Sequence, residues 1–182
     1  MSARAPADGG ARSWKDDVLQ DWAANRGAGK SRLIMLLFRQ VARWHRGPRR
    51  PWHTPVTAMY TVLVNWVLGV ELPPGTRIGP GLCLLHPQAI VINPDTQIGA
   101  GCTIRASTVL GNIVKSDGTI TGSPTLDDGV ELGVGVIIIG PIEIGAGARV
   151  GAGAVVVHDV PAGGVAVGNP ARLVSDHQES PA

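Results

Sequence analysis

Aromatic residues are missing from most of this chain. It holds one Phe, one Tyr and five Trp in 182 residues, and all seven lie within the first 66 positions. The remaining residues cannot pack around large rings, and they offer no stacking platform for nucleobases. Cysteine is nearly as scarce. Cys83 and Cys102 form no short paired motif and join no His/Cys cluster, which argues against a disulfide framework and reads both as small core or near-core residues. Of the histidines, His45, His53, His86, His158 and His177, no two sit at zinc-ligand spacing on one element, so no metal is expected and a three-histidine, carbonic-anhydrase-like site is disfavoured. No apolar stretch reaches the roughly 20 residues that span a bilayer. Residues 1–12 read as a disordered polar leader without the apolar segment of a secretory signal, and the expected address is the cytoplasm.

What the chain does have is a beat of six. From Leu126 an aliphatic residue recurs at Leu132, Ile138, Ile144, Val150 and Val156. The same phase runs through Ile78 and Leu84 and, after a slip of two residues, through Ile92, Ile98, Ile104 and Leu110. Helices need spacings of three and four, and hairpin sheets do not place turn signals so regularly. A sixfold beat fits a parallel β-helix, where each hexapeptide supplies one short strand and one corner and stacked coils bury an aliphatic column. Two positions before each aliphatic residue the side chain also points inward, and Thr76, Thr96, Cys102, Thr108, Val130, Val136, Ala148 and Ala154 occupy those sites. After it comes a corner, where Gly99, Asn93, Asp127 and Gly133 suit positive φ.

Charge divides the chain. Residues 1–70 carry 11 Lys/Arg against 4 Asp/Glu, and residues 71–182 carry 5 against 10. A basic front can address nucleic acid, an anionic surface or solvent; without a nucleic-acid motif it reads as a solvated helical face or a local pull on an anionic ligand. Ser31 to Arg46 has Leu33, Leu36, Leu37, Val41 and Trp44 at helical spacing. Thr54-Pro55 offers an N-cap and first-turn pair for a second helix, Val56 to Leu68. The five Trp are expected to pack these helices together, and contact with a membrane is the weaker use for their apolar faces. The organisation expected is a leader at 1–12, a helical segment at 13–70, a β-helix at 71–174 with a loop at 112–125, and a flexible tail at 175–182.

One stretch carries chemistry. Val70-Glu71-Leu72-Pro73, then Ile78-Gly79, Gly81 and His86, resembles the start of the β-helix in serine acetyltransferases, where an acidic residue precedes the catalytic histidine by fifteen positions. Glu71 and His86 keep that spacing. The resemblance extends through Ile90-Val91-Ile92-Asn93, Thr108-Val109-Leu110-Gly111-Asn112 and the closing Gly168-Asn169-Pro170-Ala171-Arg172, and in front through Asp21-Trp22, Asn25, Lys30 and Phe38-Arg39. That front is also similar to the leader of colanic acid biosynthesis acetyltransferases. The family implies a left-handed β-helix, a homotrimer, acetyl-CoA as cosubstrate, and an active site between subunits. It implies His86 as general base and Glu71 as its orienting partner, with backbone N–H groups at Gly111 and Asn112 as oxyanion donors. Gly133, Gly151, Ala152 and Gly168 would line the pantetheine path, and Arg172 would meet a phosphate.

The acceptor site departs from the family. Leu85 stands where serine acetyltransferases have an aspartate, and Gly122-Ser123 where they have an Arg-His pair. Those groups hold the ammonium and carboxylate of serine. Leu85, Ser123 and a loop of no net charge suit a sugar or glycan hydroxyl better, with serine kept as the other acceptor. A catalytically silent scaffold or partner of a true serine acetyltransferase is the alternative from another class.

Overall fold

The computed structural model describes residues 13–48 and 51–174, so the leader expected at 1–12 and the tail expected at 175–182 lie outside the described residues. Five coils of parallel β-helix follow three helices. The first coil comprises β1 (Val70–Glu71), β2 (Arg77–Ile78) and β3 (Cys83–Leu85); the second comprises β4 (Ile90–Ile92), β5 (Gln97–Ile98) and β6 (Thr103–Arg105). The third has β7 (Val109–Gly111), β8 (Thr125–Leu126) and β9 (Glu131–Leu132), and the fourth β10 (Ile137–Ile139), β11 (Glu143–Ile144) and β12 (Arg149–Val150). The fifth has β13 (Val155–Val156) and β14 (Val165–Val167), and β15 (Arg172–Leu173) returns antiparallel along β14. Strands stack into three faces: A contains β1, β4, β7, β10 and β13; B contains β2, β5, β8 and β11; C contains β3, β6, β9, β12, β14 and β15.

The six-residue column fills the prism. Leu84, Ile92, Ile98, Ile104, Leu110, Leu126, Leu132, Ile138, Ile144, Val150 and Val156 are all buried, as are the eight small residues two positions before. Ile78 is only half-buried because it lies in the first coil, where the prism opens. The corner glycines divide into two kinds, which corrects the expectation of positive φ directly after the aliphatic residue. A Cβ on Gly133 would sit 2.5 Å from the backbone nitrogen of Ala152 in the next coil, so that position is kept small by coil-on-coil contact. Two residues later Gly135 has φ +71°, and there the left-handed backbone itself favours glycine.

Helices α1 (Trp14–Val18), α2 (Gly29–His45) and α3 (His53–Thr61) precede the prism, and α3 runs on as a π-helical segment Val62–Val67. No described helix is long and apolar enough to cross a membrane. In α2 the buried face is Ile34, Met35, Phe38, Val41 and Ala42, whereas Leu33 is exposed. The stripe is thus rotated from the one expected, because Arg39 is buried on the same face and hides it from a hydropathy pattern. Trp52, not Thr54, is the N-cap of α3, and it makes no side-chain cap bond. Nor do the tryptophans form a helix core: Trp14, Trp22, Trp52 and Trp66 are exposed and only Trp44 is half-buried. Trp44 meets Trp52 edge-on at 4.9 Å, and Arg32 lies 4.4 Å over the Trp22 ring.

The helical segment closes the open end of the prism with polar side chains. An exposed strand edge leaves unpaired N–H and C=O groups. Here Asp21 Oδ1 accepts from Leu82 N–H at 2.9 Å. The Asn25 carboxamide donates to Leu82 C=O at 2.8 Å and accepts from Leu84 N–H at 2.9 Å, standing in for a missing strand residue. Ser31 Oγ donates to Leu84 C=O at 2.7 Å, and Arg39 Nη1 and Nη2 donate to the carbonyls of Ile78 and Gly79. Tyr60 O–H donates to Leu72 C=O at 2.7 Å, and burial pushes its phenol pKa well up. Every one of these side chains is buried.

Candidate active site

His86 sits at a corner that the regular repeat does not explain. Val91 pairs with Val109, eighteen positions on, but Val70 pairs with Ile90, twenty positions on. The two additional residues fall in His86 to Ala89, between β3 and β4, where the next coil has only Ala106 and Ser107. His86 and Ala89 both adopt φ +52°, a conformation that costs a non-glycine residue free energy and that concentrates at functional sites. The imidazole is exposed and borders a cavity of about 480 Å³ lined by Gly27 to Ser31, at the entry and first turn of α2, and by Leu85 to Gln88. No carboxylate lines that cavity, and the Lys30 ammonium is spent on Gln88 Oε1 at 2.8 Å.

Glu71 lies on β1, at the start of the coil that ends at His86. Val70 is buried, so the Glu71 side chain turns outward from face A, beside Val91. It shares the His86 end of that face, yet no hydrogen bond joins the two side chains.

The remaining candidates fall on two edges of the prism. Where face C passes into face A, two adjoining columns run up the edge: His86, Ala106, Val134, Ala152 and Gly168 in one, and Leu85, Arg105, Gly133 and Gly151 in the other. The pantetheine candidates therefore share one edge with His86, although Gly133 also has the packing reason given above, and a Cβ on Gly151 would meet Val167 Cγ1 at 2.8 Å. Arg172 is exposed on β15 at the same end of the molecule as Gly168. Gly111, Asn112 and Ser123 are elsewhere. They flank the loop at the edge where face A passes into face B, and Ser123 Oγ bonds Asn93 Oδ1 there at 2.9 Å. Within one chain, Leu85 and Ser123 do not form a common pocket.

That loop is a small hairpin. Val114 and Ile120 form an antiparallel bridge, and Asp117 Oδ1 accepts from the N–H and hydroxyl of Thr119, which holds its carboxyl below the usual range. Ile113, Val114 and Ile120 on it are exposed. The outer side of face A is also apolar at Ile139 and Val157. Both thiols are free, and burial raises their pKa. Among the described residues no three His, Cys, Asp or Glu side chains gather to hold a metal.

No family model matches the chain. Serine acetyltransferase 2 of Arabidopsis thaliana is 40% identical over 116 residues, which is 64% of this chain and 35% of that protein. The chain spans from about a third to about two thirds of the length of the curated relatives it matches. Soybean serine acetyltransferase complexed with serine superposes with a TM-score of 0.74 at 32% identity, over 88% of this chain and 69% of that one. A serine acetyltransferase in complex with CoA superposes with a TM-score of 0.71 at 25% identity, over 87% and 68% of the two chains.

Proposed function

The chain belongs to the serine acetyltransferase-like hexapeptide-repeat acyltransferases, and from that premise we propose that it transfers the acetyl group of acetyl-CoA to an alcohol. The observation that carries this is the position of His86, on an inserted and strained corner at the head of an edge of small residues. A thin, amide-rich pantetheine arm suits such an edge, where Gly133, Gly151, Ala152 and Gly168 leave the backbone open, and Arg172 can meet a phosphate at its far end. Transfer is direct. The acceptor hydroxyl attacks the thioester carbonyl while the neutral His86 imidazole takes its proton, and Glu71 stabilises the resulting imidazolium. The imidazolium then protonates the departing CoA thiolate.

The acceptor in this reading is a sugar or glycan hydroxyl. The cavity beside His86 has Leu85 and Pro87 on its wall and no carboxylate to receive an ammonium, and an unpaired buried charge costs several kcal/mol. L-serine is the second reading, favoured by the soybean relative that binds it. Initial rates of thiol release with L-serine and with neutral monosaccharides decide between them. Turnover on the sugars with little on serine is expected, and saturation by L-serine would overturn the assignment.

The working unit in this proposal is a homotrimer. Loop 112–124 and His86 occupy different edges of one prism, so the loop of one copy covers the His86 edge of the next. The apolar outer side of face A supports burial between copies. Light scattering should return three times the 18.9 kDa chain mass; a monomer at micromolar concentration would remove the shared site.

A further inference from the structure

One cation stands in the column of residues that leads from the glycines to His86. Leu85 pairs with Arg105. Thr103 pairs with Glu131, which puts Gly133 at the position of Arg105 one coil on, and Arg149 pairs with Glu131, which puts Gly151 there in the coil after. The column thus reads Leu85, Arg105, Gly133, Gly151, with His86 adjoining its first member. Arg105 is half-buried. Its Nη1 reaches along the edge to the carbonyl of Leu132 at 3.3 Å, a long contact for a charged donor. No carboxylate pairs with it: the ion pairs among the described residues are Arg39 with Asp21 and Arg43 with Asp17. A guanidinium has five N–H donors, and this one spends a single donor, on that long contact.

We propose that Arg105 is a catalytic residue that binds the thioester carbonyl oxygen and stabilises the negative charge it acquires. This rests on the acetyl-transfer reading above. With pantetheine descending the edge past Gly151 and Gly133, the thioester arrives between Gly133 and His86, the interval that Arg105 occupies. The acceptor oxygen forms a bond to the carbonyl carbon, its proton passes to His86, and the carbonyl π pair moves onto oxygen. Arg105 meets that oxyanion with charge-assisted hydrogen bonds that strengthen as the charge develops. When the carbonyl re-forms, the C–S bond breaks, its electron pair leaves with sulfur, and the His86 imidazolium returns the proton to the thiolate. Gly111 and Asn112 lie on another edge of the same chain, so the donors at that position in the trimer come from the neighbouring copy, and Arg105 is the donor that the His86-bearing chain itself supplies. It was not legible as such in the sequence, because its register with Gly133 depends on skipping the hairpin loop.

The test uses the full-length protein, with steady-state kinetics and calorimetric CoA binding for wild type, Arg105→Gln, Arg105→Lys, Arg105→Ala and His86→Ala. For Arg105→Gln the expected result is a fall in kcat of about 10²–10³-fold with CoA affinity held to within about twofold. Arg105→Lys restores part of the loss because it keeps the charge but not the fork, and added guanidinium ion raises the rate of Arg105→Ala. A purely structural arginine would not give that rescue, and thermal unfolding of the lysine variant checks the fold. If His86→Ala is inactive while Arg105→Gln keeps wild-type kcat, the role of Arg105 is wrong and acetyl transfer stands. A loss confined to KM for acetyl-CoA likewise overturns it and makes Arg105 a cosubstrate contact. Turnover that survives His86→Ala brings down the acetyl-transfer mechanism, and this role with it.

Discussion

His86→Ala should lower kcat for acetyl transfer by about 10²–10⁴-fold, the usual worth of a general base, while CoA binding stays nearly intact. The substitution also relieves an unfavourable side chain only slightly, since alanine at φ +52° is still strained. Loss of activity therefore reports the imidazole and not a collapsed corner, and an unchanged melting temperature would establish this. Glu71→Gln should cost less. Glu71 is exposed and makes no hydrogen bond to His86 in the free chain, and such contacts often tighten only when substrate is bound. It keeps the shape and loses the charge that steadies the imidazolium. Stopped-flow or coupled thiol assays on the three proteins measure both effects. Full turnover by a folded His86→Ala variant would remove His86 from the mechanism, and equal rates for wild type and Glu71→Gln would remove the dyad.

The β-helix was readable from sequence because a narrow prism admits one aliphatic residue per face and repeats the demand every six positions; Leu126 to Val156 show nothing else. His86 was singled out because its fifteen-residue distance from Glu71 resembles the serine acetyltransferase pattern, and its inserted corner with φ +52° is the feature that the sequence did not announce. What the sequence concealed were contacts whose partners are backbone groups far along the chain. Asn25 bonds the strand edge at Leu82 and Leu84, some 57 and 59 positions on, and no periodicity announces that a carboxamide is completing a sheet. Arg39 on α2 looks like a solvated charge until its carbonyl partners on the first coil are known. The same buried arginine rotated the apolar stripe of α2 away from Leu33. The glycine rule was half visible: close stacking and positive φ fall on different corner positions, Gly133 and Gly135, and composition alone merges them. Ser123 was grouped with Leu85 from family position, whereas a single chain holds them on separate edges.

Asp21→Ala should be the most damaging change outside the His86 edge. Asp21 and Arg39 form a bidentate pair at 2.7 and 3.1 Å, and both side chains are almost fully buried. Removing one member of a buried pair leaves the other charged and uncompensated, at a cost of about 3–5 kcal/mol. The Leu82 N–H loses its acceptor as well, and a buried unsatisfied donor adds to the loss. For a chain of this size the expected fall in melting temperature is about 6–20 °C. The pair itself is weak evidence of net stabilisation, because desolvation offsets much of its attraction; its importance lies in Arg39 also holding the carbonyls of Ile78 and Gly79. Asp21→Ala with Arg39→Met should consequently recover part of the loss by removing the stranded charge, but not all of it, since three backbone groups of the first coil, Leu82 N–H and the carbonyls of Ile78 and Gly79, would still want partners or solvent. Those groups belong to the chain that runs directly into Leu85 and His86. Fraying there should therefore lower kcat at temperatures well below global unfolding, and hydrogen exchange at Leu82 and Leu84 should rise with it. A melting temperature within about 2 °C of wild type for Asp21→Ala would show that the helices rest on the prism without being needed to close it.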